Sequence, residues 1–73
     1  MNREQKLLVA FHERHQALLN DGYRDLYSST WGDFQYYKMH HANGNYISII
    51  ANFNNCRLVQ RTNGIVVHDE EVC

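Results

Sequence analysis

Residues 34 to 53 read FQYYKMHHANGNYISIIANF, two runs of aromatic and β-branched residues on either side of Asn43-Gly44. Side chains that alternate at period two mark strands, and Asn-Gly enters the positive-φ turns that join them, so the stretch predicts an antiparallel hairpin. Its register depends on loop length. A two-residue Asn43-Gly44 turn would set Lys38 opposite Ile49 and His40 opposite Ile47, mixing polar with apolar on one face. A three-residue loop, Ala42-Asn43-Gly44 with Gly44 in a left-handed bulge position, moves the pairing by one. Tyr37, Met39 and His41 then share a face with Ile47, Ile49, Ala51 and Phe53. Because a one-residue slip exchanges every side chain between faces, the apolar pattern selects the bulged loop.

Toward the C-terminus the turn signal recurs at Asn54-Asn55 and Asn63-Gly64, a spacing of about ten residues that suits a meander. It divides the chain into 34–41, 45–53, 56–62 and 65–69, and no proline interrupts any of these runs. Asparagine tolerates positive φ, so a tight Asn54-Asn55 turn is expected, extending the apolar face to Cys56 and Leu58.

Toward the N-terminus the period changes. On a wheel of about 100° per residue, Leu7, Leu8, Phe11, His15, Leu18 and Leu19 fall within about 120°, the width of a core-facing helical stripe. A helix is predicted from Arg3 to Leu19, closed by Asn20-Asp21-Gly22 with Gly22 as the left-handed residue. His15 lies inside the leucine arc and is expected to be a neutral core histidine. Residues 20 to 33, with Tyr23, Leu26, Tyr27 and Trp31, follow neither period and read as an aromatic connector holding at most a helical turn or an edge strand. The fold class expected is α+β: one N-terminal amphipathic helix packed on a three- or four-stranded antiparallel meander. It forms a single small domain, residues 1 to 73, ending in an acidic tail over 69 to 73.

Composition agrees with that size. Seventy-three residues, 44% of them apolar, make one domain that buries only about 60% of its unfolded surface. Transmembrane spans, multidomain enzymes and disulfide-rich scaffolds are excluded. Only two cysteines occur, Cys56 and Cys73, and both thiols are expected to be free. Arg3, Glu4 and Lys6 crowd the start, and the run Leu7 to Phe11 is too short for a signal peptide, so a cytoplasmic setting is expected.

One helix covers one side of a sheet. The other side of this meander would carry Tyr36, Lys38, His40, Tyr46, Ser48, Ile50, Arg57, Val59 and Arg61. No acidic residue lies between Phe34 and His68, although the net charge is −1. Catalytic chemistry is not legible. His12 and His15 are one residue too close for a zinc-peptidase pair, His40 and His41 point to opposite faces of a strand, and there is no Cys-x-x-Cys. Ser28, Ser29 and Ser48 lack a nucleophile elbow, the glycines stand singly at turns, and the carboxylates Asp69, Glu70 and Glu71 have no pocket around them. The protein is therefore expected to be a non-enzyme without metal or cofactor.

Two binding readings remain, neither involving a membrane. Interfaces are rich in tyrosine, tryptophan and arginine, so the first is a protein partner, or a second copy as a homodimer, held by Trp31, Tyr36, Lys38, His40, Tyr46, Ile50, Arg57 and Arg61. Small inhibitors and adaptors of phage or other mobile elements have this size, an association that rests on length alone. The second reading is single-stranded nucleic acid, whose bases stack on strand-borne aromatics while cations hold phosphates.

Overall fold

Asn2 starts the helix in the computed structural model, which describes residues Met1 to Cys73. The Gln5 amide donates to Asn2 Oδ1 at 2.9 Å and the Asn2 amide donates to Gln5 Oε1 at 3.0 Å, a reciprocal cap that satisfies two otherwise orphaned donors. Helix α1 (Arg3–Asn20) buries Leu7, Phe11 and Leu18. At its end Gly22 has φ +99°, the Tyr23 amide donates to Leu18 O, and the Gly22 amide donates to Leu19 O. This is the Schellman closure that the Asp21-Gly22 pair implied. His41 braces it from the sheet, with Nε2 3.1 Å from Asp21 O and its ring edge-on to Tyr23.

Five strands follow: β1 (Arg24–Trp31), β2 (Phe34–His40), β3 (Tyr46–Asn52), β4 (Arg57–Thr62) and β5 (Ile65–Glu71). They form one antiparallel sheet in sequence order. The sheet is thus one strand larger than the largest expected, because residues 24 to 31, read as a connector holding a helical turn or an edge strand, form the edge strand. Two physical causes hid it. A bulge between Asp25 and Tyr27 breaks the alternation. The helix packs mainly on β3 and β4 and meets β1 only at its start, through Arg24 and Asp25, so no apolar period is imposed on the rest of that strand.

Where the helix does cover the sheet, pattern and register agree. Tyr37 pairs with Ile49 and Met39 with Ile47. The loop between them is Ala42-Asn43-Gly44, with Gly44 at φ +95° and its amide donating to His41 O at 3.0 Å. Ala51 pairs with Leu58, which carries the same face into β4. The turn joining them differs from expectation in one respect: Cys56, at φ +54°, takes the left-handed position, while Asn52 Oδ1 accepts from the Asn54 amide.

The C-terminal residues are not a free tail. β5 runs two residues past Asp69 to Glu71, and the Val72 amide donates to Cys56 O at 2.9 Å. That register returns the chain end to the β3–β4 turn, where Cys73 forms a disulfide with Cys56, 17 residues away in sequence. The thiols expected to be free are therefore paired. Spacing alone could not show this, since the juxtaposition is made by β5.

The core gathers Leu7, Phe11, Leu18, Tyr23, Met39, Ile47, Ile49, Ala51, Cys56 and Leu58 between helix and sheet. Gln60 is buried beside them, and its Oε1 has no hydrogen-bond partner. His15 is also corrected. It stacks on Tyr37 with ring centroids 3.7 Å apart, and its Nε2 lies 2.7 Å from Asp25 Oδ1. The expectation of a core histidine within the leucine arc overlooked the carboxylate that β1 delivers. No helix is long and apolar enough to cross a membrane.

Candidate interaction face

Pairing register places every second residue of β2, β3 and β4 on the side of the sheet opposite the helix. Three cross-strand rows result, and β1 and β5 extend each of them. Tyr27, Lys38, Ser48, Arg61 and Val66 form one; Ser29, Tyr36, Ile50, Val59 and Asp69 the next; Trp31, Phe34, Asn52, Arg57 and Glu71 the last. His40 and Tyr46 pair at the margin of the face. All eight residues singled out from sequence, Trp31, Tyr36, Lys38, His40, Tyr46, Ile50, Arg57 and Arg61, thus share one uncovered face. Trp31 and Tyr46 stand well open, at 74% and 60% exposure.

The face is divided within itself. Around the first row lies an open groove of about 490 Å³, lined by Lys38, Tyr46, Ser48, Ile50, Arg61 and Gly64. Trp31, Tyr36 and Arg57 stand outside it. Arg57 is committed elsewhere: Nη1 lies 3.0 Å from Asp69 Oδ1 and Nη2 3.7 Å from Glu71 Oε2. Lys38 and Arg61 have no carboxylate within ion-pair distance. Lys38 Nζ instead sits 5.9 Å from the centre of the Tyr27 ring, at the outer limit of a cation–π contact.

Tyr27 is the face residue that the sequence reading left in a connector. Its hydroxyl and that of Tyr36 are 2.7 Å apart, with the rings edge to face. This hydrogen bond, with lesser contributions from desolvation and from the Tyr36 charge, holds the Tyr27 proton above the ordinary phenol range. The signal that could have found it was the run Tyr27-Ser-Ser-Thr-Trp31 before Gly32-Asp33, which is strand-like in composition. Asp69 and Glu71 were missed as well, because they were assigned to a tail.

Chemically, the face offers aromatic surface, the unpaired cations Lys38 and Arg61, and the Ser48 hydroxyl between them on a strand scaffold. It has no nucleophile–base pair within hydrogen-bonding reach. No protein-family model matches the chain, and no curated protein or solved structure matches it either.

Proposed function

We propose that this protein is a non-enzymatic interaction module that binds another protein through its open sheet face, acting by occlusion as an inhibitor or by bridging as an adaptor. The observation that carries the reading is a five-stranded sheet with a helix on one side only, whose other side holds Tyr46 and Ile50 at a groove and Val59 beside Ile50. Aromatic and aliphatic anchors rimmed by arginine are the composition of protein interfaces.

Single-stranded nucleic acid is the weaker reading. Of the three cations on β2 and β4, Arg57 is neutralised by Asp69 and Glu71, and those two acids stand on the same face, where they repel phosphate. Two cations would give a log–log salt slope of only about −1.4 on a single strand. The Cys56–Cys73 bridge bears on location: disulfides persist in oxidising compartments, so the bridged form fits such a setting better than the cytoplasm expected from free thiols.

Fluorescence anisotropy with a labelled mixed-sequence single strand, at low and moderate salt, tests the choice. No binding at low salt is expected, with partner capture from source-cell extract lost in Tyr46→Ala. Tight, salt-sensitive oligonucleotide binding would reverse the assignment.

A further inference from the structure

The cations at the groove narrow the kind of partner. Lys38, Ser48 and Arg61 are consecutive cross-strand partners on β2, β3 and β4, so the two cationic residues stand about 10 Å apart with the hydroxyl between them. Both side chains are long enough to converge over Ser48. Ile50, the next outward-facing residue along β3, is half-buried on one side of the row, and Tyr46 is exposed on the other. The groove is thus apolar at its ends and cationic across its middle.

Building on the reading of the open face as a protein-binding surface, we infer that the groove takes an acidic, partly apolar segment of the partner. A carboxylate sits over Ser48 between Lys38 and Arg61, accepting hydrogen bonds from the hydroxyl and from both cations. A neighbouring aromatic or aliphatic side chain packs on Ile50 and Tyr46. Two charge-assisted donors and a neutral one suit a carboxylate, whose two oxygens accept up to four bonds.

Charge also argues against a second copy of this chain in the groove. A two-fold axis through Ser48 along the strands would lay Lys38 on the partner's Arg61. An axis along the Lys38–Ser48–Arg61 row would lay each cation on its own counterpart. Either packing opposes like charges, which is destabilising when they are desolvated. The chain's own acids on this face, Asp69 and Glu71, are already held by Arg57.

The test is selection of a phage-displayed random dodecapeptide library on the intact, oxidised protein. The enriched sequences are then measured as labelled peptides by anisotropy against wild type, Lys38→Gln, Arg61→Gln, Tyr46→Ala and the helix control Lys6→Gln, each checked for folding by circular dichroism. Enriched peptides are expected to place Asp or Glu beside an aromatic or aliphatic residue. Lys38→Gln and Arg61→Gln should each weaken them about tenfold, the size of one charge-assisted hydrogen bond, and Lys6→Gln should leave them unchanged. Peptides without acids that still depend on Tyr46 would overturn the acidic occupant while leaving the open face as the binding surface. Peptides indifferent to all the face substitutions would overturn both. A library that yields no enrichment, or a single-stranded oligonucleotide that outcompetes the acidic peptides, would overturn the inference as well.

Discussion

The two faces of the sheet are made by the same strands, yet their side chains do different work. Toward the helix, β2, β3 and β4 present Met39, Ile47, Ile49, Ala51 and Leu58, none more than 4% exposed. Away from it they present Lys38, Tyr46, Ser48, Ile50, Val59 and Arg61, half-buried or open. Strand alternation separates the two sets by a single residue, so the core that fixes the backbone also fixes the spacing of the outward row. Stability should therefore reside on one face and binding on the other, and substitutions can break or sharpen that division.

The largest contrast comes from paired truncations. Phe11→Ala empties the centre of the covered face and should cost about 3–5 kcal/mol, close to the whole stability of a domain this small. Tyr46→Ala on the open face should change stability by no more than about 0.5 kcal/mol while abolishing binding. Urea denaturation of both variants measures the difference. The cross-link comes next: Cys73→Ser, or reduction of the wild type, frees the end of β5 and should cost about 2–4 kcal/mol, read from the denaturation midpoint with and without reductant.

Smaller effects examine how the faces are kept in register. Gly44 has φ +95°, a region closed to β-branched residues, so Gly44→Val should destabilise by about 1–2 kcal/mol. Its melting temperature should fall accordingly. On the covered face Gln60 Oε1 is buried without a partner, and Gln60→Met removes that orphaned acceptor at similar volume. A gain of about 1 kcal/mol in the same denaturation assay is expected. On the open face, Tyr27 should ionise at a higher pH than a free phenol, followed by ultraviolet phenolate absorbance. Tyr36→Phe, which removes the principal cause, should return it toward about 10. Because the folded-state value is raised, this hydrogen bond contributes below the unfolded pKa, and its contribution is lost as pH rises through the folded value.

The same contrast governs what could be read from sequence. Helix limits, the β2–β3 register and the left-handed Gly22 and Gly44 were legible because burial against α1 imposes an apolar period, and a slip would expose Met39, Ile47 and Ile49. β1 was not legible, because it is exposed on both sides and bulged at Asp25–Tyr27, so neither burial nor alternation marks it. Its loss from the reading also hid the Tyr27–Tyr36 contact and the Asp25 carboxylate beside His15. The disulfide and the Arg57–Glu71 ion pair were hidden for another reason: each depends on β5 continuing to Glu71, and charged residues at a strand's end read as tail. On the open face seven of the eight singled-out residues could be placed together from alternation alone, whereas Trp31, on β1, could not. That Arg57 is neutralised while Lys38 and Arg61 stay free is a property of the fifth strand.

Photo-crosslinking from the two sides of the molecule tests the central claim most directly. A benzophenone amino acid replaces His40, beside Tyr46 at the edge of the open face, or Ala17 on the exposed side of α1. Each protein is irradiated in extract of its source cells. The account predicts a discrete protein adduct from position 40, absent from position 17 and lost when Tyr46→Ala is added. An adduct from position 17 alone, or a nucleic-acid adduct from position 40, would contradict it.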